Sequence, residues 1–429
     1  MHSSSFLTTQ IPHKFEVKYK AIKLNITFGG YFMRKGIVIV SLTVALSSIL
    51  AGCQIGNKEA NQGAENTAVT AAVSTPWIGT KNTTRINTSD PIEAAVLVSR
   101  TLWTAVTGSN RPASVVLTDV SNWQIAAVSA DLIHHPSNGP VLFFEKDRVP
   151  EATLEELQRL KPAGAEGNDG IQIIIVGPAS DAVVKQLDDL NMKLDKIEGD
   201  EPAAVAGAID AYYAKVAGEL PQAVVIGSLD SPEYTLPAVN WIAHMPEPLL
   251  YVTKDEVPEP TVQALNERGG KAVMYLLGPE SAVSSGVEEQ LKSYGTVTRI
   301  SGNDPATNAI AFSKFKDEVT GFGWGITSPG HNLSFLPADS TLLAIAAAPF
   351  SHLGKHAPLI FTSKDHMPEA VMRYTAEIQP KFQDSPAEGP YNHAWITGDN
   401  NAITAEAQSE IDDMLEISPA SGDNPHSGH

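Results

Sequence analysis

The chain has 429 residues, with 30 Lys/Arg against 49 Asp/Glu, a formal charge of −19 and a single cysteine, Cys53. This balance argues against nucleic acid as a partner, because that binding needs basic patches, and one thiol excludes any intrachain disulfide. Residues 1–52 hold six Lys/Arg and one Glu, so a chain cut before Cys53 carries 24 basic against 48 acidic groups, a charge of −24, and is expected to stand off an anionic membrane surface.

In chain order, residues 1–32 are polar and precede a signal sequence that is complete without them. Translation is therefore expected to begin at Met33, with the codons of Gly29-Gly30 supplying a purine-rich ribosome-binding sequence. Residues 33–52 read as the signal: Met33-Arg34-Lys35 is the basic start, Gly36 to Leu50 the apolar run, and Ala51-Gly52 the small residues before a cut. The run is too short for a comfortable transmembrane helix. Leu50-Ala51-Gly52-Cys53 resembles the lipobox of bacterial lipoproteins, in which the Cys53 thiol would accept a diacylglycerol. The expected location is the extracellular face of the cell membrane, held by this N-terminal lipid, since two or three acyl chains at about 0.8 kcal/mol per buried methylene hold a protein permanently. Residues 53–82, rich in Asn, Ala, Thr and Gly, read as a disordered tether, and residues 419–429 as a disordered tail.

Between them the sequence repeats. Pro140-Val-Leu-Phe-Phe-Glu-Lys146-Asp147-Arg-Val-Pro150-Glu151, Pro248-Leu-Leu-Tyr-Val-Thr-Lys254-Asp255-Glu-Val-Pro258-Glu259 and Pro358-Leu-Ile-Phe-Thr-Ser-Lys364-Asp365-His-Met-Pro368-Glu369 recur at spacings of 108 and 110 residues. Each unit opens with a short arm, Arg85-Ile86, Lys196-Ile197 or Arg299-Ile300, ahead of an Asp near a Pro. An Ala-rich helix and a first apolar strand follow: Ser114 to Leu117, Ala223 to Ile226 and, less clearly, Trp324 to Thr327. A second helix ends near a histidine, and each unit closes on a strand running into Gly177, Gly278 or Gly398. The cuts fall at 83–194, 195–297 and 298–418, with a long insert near Ser328 to Asp339 in the third unit. Short, continuous, apolar strands imply sheets covered on both faces, hence α/β architecture with three tandem, small, three-layer parallel-sheet (Rossmann-like) repeats. The Pro-Glu steps suit first helical turns, and Ser285 with Glu288 has capping-box spacing.

Arg299-Ile-Ser-Gly-Asn-Asp304 with Asn308-Ala-Ile, the three Pro-led strands with their Pro-Glu turns, and the Val-Gly strand end at Gly177 together resemble the cell wall-binding repeat 2 family. Its members are tandem three-repeat modules on surface proteins of Gram-positive bacteria. The likeness spans residues 83 to about 418, with departures at Asn87-Thr88, at Glu198-Gly199-Asp200 and at Trp123-Gln124-Ile125-Ala126. It implies three repeats grouped about a pseudo-threefold axis and noncovalent binding of an anionic wall polymer.

The Lys146-Asp147, Lys254-Asp255 and Lys364-Asp365 turns follow strand ends, where open α/β sheets bind ligands. Either their lysines form local positive spots for an acidic polymer, or Asp serves the turn backbone and Lys is solvated. Trp123, Tyr234 and Phe335 read as loop aromatics that stack on sugar rings or plug contacts between repeats. Arg85, Arg299 and Lys196 either bind a carboxylate or phosphate or pair with the aspartates that follow them to lock the repeat; the pairing is the expectation. His134 (or His135), His244 and His352 recur at helix ends: either a pseudo-threefold gathers them into a metal site, since imidazole is a common ligand, or the helix dipole explains them; the second is the expectation, with no metal or cofactor. There is no Walker-type loop, no His-Glu-x-x-His and no Gly-x-Ser-x-Gly. The expectation is a non-catalytic, membrane-anchored surface lipoprotein that binds a wall glycan or anionic polymer. The alternatives are a scaffold for an envelope protein partner or an unrecognised enzyme.

Overall fold

A computed structural model describes residues 75–421, Lys355 excepted. Cys53, the signal, most of the expected tether and the end of the tail lie outside the described residues. The chain enters through β1 (Trp77–Gly79), β2 (Thr83–Ile86) and α1 (Pro91–Leu102). The first repeat continues with β3 (Val115–Asp119), α2 (Trp123–Ser129), β4 (Val141–Phe144), α3 (Glu151–Leu160), β5 (Ile173–Val176), α4 (Asp181–Asp188) and β6 (Leu194–Ile197). The second comprises α5 (Pro202–Ala217), β7 (Ala223–Ser228), α6 (Pro232–Thr235), α7 (Pro237–Ile242), β8 (Leu249–Val252), α8 (Glu259–Asn266), β9 (Ala272–Leu277), α9 (Ser285–Leu291) and β10 (Gly295–Ile300). The third has α10 (Pro305–Lys314), β11 (Asn332–Pro337), α11 (Thr341–Ala347), α12 (Pro349–His352), β12 (Leu359–Thr362), α13 (Glu369–Glu377), β13 (Lys381–Phe382), β14 (His393–Thr397), α14 (Ala405–Leu415) and β15 (Ser418–Pro419).

Among the described residues the strands form three large, mainly parallel sheets, ordered β4-β3-β5-β6, β8-β7-β9-β10 and β12-β11-β14-β2-β1, and a two-stranded parallel one, β13-β15. Only β1 runs antiparallel to its neighbour. Every residue of β4, β5, β8 and β12 is buried, which is why these strands read as unbroken apolar runs: helices cover both faces. Each large sheet with its helices is a three-layer α/β unit of the expected kind.

The arms do not join the sheet of the repeat they open. β6 and β10 complete the sheets of the first and second repeats, and β2 pairs with β14 to complete the third. The start of the described chain is thus built into its last sheet, and each sheet extends one strand past the cuts read from the sequence. The helix after each arm then packs against a helix of the preceding repeat in cyclic order: α1 on α11, α5 on α2 and α10 on α6. Similarly, α11 meets β4 and α7 meets β12. These contacts close a ring of three repeats, and α2, α7 and α11 touch one another inside it.

Several local expectations shift. The first strand of the third repeat is Asn332–Pro337, inside the stretch read as an insert, and not Trp324 to Thr327. Trp324 instead packs edge-on against Trp241 at a 5.0 Å centroid distance, so its apolar neighbourhood reflects an aromatic cluster. Pro150, Pro258 and Pro368 occupy helix N-cap positions, with Glu151, Glu259 and Glu369 opening the helices. The cap of α9 is Ser284, whose hydroxyl accepts from Val287 N–H, and Glu288 turns to Arg299. β1 lies within residues 53–82, so ordered chain begins before residue 83. Among the described residues no helix is long and apolar enough to cross a membrane.

Candidate functional site

Polar residues gather at the two ends of the sheets. At the carboxyl ends of the edge strands β4, β8 and β12, Lys146-Asp147, Lys254-Asp255 and Lys364-Asp365 are all exposed. Each turn closes on itself: the N–H of Glu145, Thr253 and Ser363 donates to the carbonyl of Arg148, Glu256 and His366 respectively, at 2.9–3.2 Å. In the second repeat the carboxylate serving the turn backbone is Asp230, which accepts the Lys254 N–H at 3.0 Å, not Asp255. The lysine carbonyls are also held, with Lys254 O accepting from Ser284 N–H and Lys364 O from Thr404 N–H, both at 2.9 Å. The backbone is thereby fixed while the lysine side chains stay at the surface. In the third repeat Lys364 borders a cleft of about 560 Å³ with Ser89, Ala338, Asp339, Ser340 and Asn401. These residues follow β2, β11, β12 and β14, so the cleft sits at the carboxyl ends of all four parallel strands, where open α/β sheets accept ligands.

The three aromatics do not form an equivalent set. Trp123 is the first residue of α2 and meets Tyr251 of the second repeat edge-on at 6.5 Å; the Tyr251 hydroxyl donates to Gln124 O at 2.7 Å. Tyr234 lies in the short α6, partly buried. An added Cβ at Gly278 would meet Tyr234 Cβ at 3.2 Å, and the Gly278 φ of +104° independently favours glycine. Close packing and the positive φ thus account for that glycine. Phe335 is wholly buried within β11 and not in a loop, so it is core and cannot stack on an outside ligand.

The arm arginines do not reach the aspartates that follow them. Arg85 donates to Gln408 Oε1 at 2.7 Å and to the carbonyls of Ile403 and Thr404. Arg299 donates to Glu288 Oε2 at 2.7 Å and to Gly278 O at 2.8 Å. Gln408 and Glu288 lie four residues past the caps Thr404 and Ser284, so each arginine locks an arm to the last helix of the preceding sheet. Lys196, their counterpart, is exposed. Buried Arg85 is lowered from the usual guanidinium value, by burial.

The opposite, amino-terminal ends of β4, β8 and β12 are where the repeats meet through polar groups. One ring nitrogen from each of His134, His244 and His352 lies within 4.8 Å of the others. His134 Nδ1 donates to His244 O at 2.6 Å, Asn240 Nδ2 to Ala357 O at 2.8 Å, and His352 Nε2 to Asn138 Oδ1 at 2.7 Å. These three bonds run from repeat one to two, two to three and three to one. His135 stacks on His134, and the His356 ring sits 4.0 Å from that of His244. Burial, then neighbouring imidazoles, pull His244 and His352 down to about 4. Within the second repeat Arg268 and Asp210 form a buried two-bond ion pair at 2.8 and 2.9 Å, and Arg268 also donates to Pro221 O, just ahead of β7. Asp131 is buried with both carboxylate oxygens unpartnered among the described residues. Burial, then the charges of Asp210 and Glu247, push its carboxyl well above the usual range.

The architecture is therefore a ring of three interlocked three-layer α/β repeats. No known family profile matches the chain, and no curated protein matches it in sequence. Solved structures share the fold: Cwp6 from Clostridium difficile, with a TM-score of 0.60 and 20% identity over 76% of this chain and 48% of that one, and Cwp8 from the same organism, at 0.58 and 16% over 78% and 52%. This chain spans about half the length of each.

Proposed function

We propose that this protein is a cell-surface, wall-associated lipoprotein whose three repeats bind a wall glycan or anionic polymer without catalysis. The observation that carries the reading is the set of three equivalent lysine turns, exposed on fixed backbone at strand carboxyl ends, the third beside a cleft. The order and spacing of the repeat motifs, which resemble wall-binding repeats, support it, as does the fold shared with Cwp6 and Cwp8. A body of charge −24 repels a polyanion at long range, so attachment relies on short-range contacts. Lys146, Lys254 and Lys364 supply point charges, while Ser89, Ser340 and Asn401 offer hydrogen bonds to neutral sugar hydroxyls in the cleft. The lipid at Cys53 already retains the chain, which leaves the repeats free to grip wall material.

Sedimentation of the protein with purified cell walls tests this, at low and high salt and with and without a chelator. Co-sedimentation that weakens with salt is expected. No binding under any of these conditions would overturn the reading.

A further inference from the structure

We propose that His134, His244 and His352, one from each repeat, form a binding site for a divalent first-row transition cation of the Zn²⁺ class. This goes beyond the wall-binding reading and does not depend on it. The geometry is close to what such an ion needs. Three nitrogens within 4.8 Å of one another stand no more than about 2.8 Å from a common centre, so shifts of about 0.7 Å or less reach the Zn–N length of about 2.0–2.1 Å.

The hydrogen bonds set the tautomers. His134 Nδ1 carries its proton toward the His244 carbonyl, leaving Nε2 with a free lone pair. His352 Nε2 carries its proton toward Asn138 Oδ1, leaving Nδ1, which is buried and has no partner among the described residues. His244 Nδ1 is likewise buried and unpartnered. A metal-bound histidine commonly donates its second ring N–H to a carbonyl or amide oxygen, which fixes the ring and raises its basicity. Two of the three rings here have that arrangement already.

The donor set also selects the ion. Three imidazoles without a carboxylate suit Zn²⁺, Co²⁺, Ni²⁺ or Cu²⁺, whereas Mg²⁺ and Ca²⁺ require oxygen ligands. His356 is exposed and stands outside the three-nitrogen set, which leaves the fourth position to water. Because each ligand comes from a different repeat, occupancy ties the ring together and raises stability by mass action.

The test is calorimetric titration of the full chain, stripped with chelator and free of any histidine tag, with ZnCl₂. One equivalent is expected to bind and to raise the unfolding temperature, with Ca²⁺ giving neither effect. The triple variant H134A/H244A/H352A is expected to lose that equivalent, whereas H426A/H429A, which removes the tail histidines, retains it. Should the triple variant fail to fold, Asn138→Ala and Co²⁺ substitution decide. Asn138→Ala is expected to weaken Zn²⁺ about tenfold, and Co²⁺ in the wild type to give the intense visible absorption of low-coordinate nitrogen ligation. Failure of the wild type to bind Zn²⁺, full binding by the folded triple variant, or a Co²⁺ spectrum like that of the hydrated ion would overturn the proposal.

Discussion

Strands β4, β8 and β12 each follow a histidine on their amino-terminal side and run into a lysine just past their carboxyl end, yet the two ends use polar residues differently. On the histidine side, three hydrogen bonds pass from each repeat to the next around the ring. On the lysine side, the bonds that fix the Lys254 and Lys364 turns stay within their own repeat, and the side chains remain exposed. Groups that hydrogen-bond from one repeat to the next hold the ring together. Groups whose backbone is pinned but whose heads are free are the ones a ligand can reach. The contrast assigns stability to one end and recognition to the other.

It can be broken first at the buried ion pair. Asp210→Ala strands the Arg268 guanidinium, whose side chain is fully buried, and is expected to cost about 3–5 kcal/mol by chemical denaturation. Both residues belong to the second repeat, so a loss within error would show that its internal ion pair does not stabilise the fold. Asn240→Ala removes a buried bond between the second and third repeats, with an expected cost of about 1–3 kcal/mol.

Protonation sharpens the same comparison. His244 and His352 fall from the ordinary 6.5 to about 4 in the folded state. The unfolded chain binds more protons between those values, so their contribution is intact above 6.5 and is lost as pH falls through 4. The neighbouring His135 and His356 add to the repulsion on acidification. Denaturant midpoints measured across this window should fall with pH. Asp131 has the opposite sign: its folded-state value is raised, so its contribution is present in acid and fades as pH climbs. Asp131→Asn is therefore expected to be more stable than the wild type at neutral pH, as a higher unfolding temperature. On the other end, Lys146→Ala is expected to change stability by no more than about 0.5 kcal/mol, because the residue is an exposed turn position.

The apolar strands and the lysine turns are legible in the sequence because burial on both faces writes an unbroken apolar run, and the turns recur after those runs at nearly constant spacing. Which sheet an arm joins is not. Thr83 to Ile86 carries its own pattern, but its partner β14 lies some 300 residues away and local sequence does not encode that register. β11 was missed because its buried Ser334 and its closing Pro337 interrupt the apolar signal. The same interruption makes Phe335 read as a loop residue although it lies inside the strand. The recurrence of the histidines was visible, whereas their convergence depends on three repeats closing into a ring.

The most direct test of recognition at the carboxyl ends is wall sedimentation of K146A/K254A/K364A beside Asp131→Asn. The lysine variant is expected to bind purified walls about tenfold more weakly, three exposed charges at about 0.5 kcal/mol each, with an unchanged unfolding temperature, while Asp131→Asn binds as the wild type does. Undiminished binding by the folded lysine variant would contradict the account.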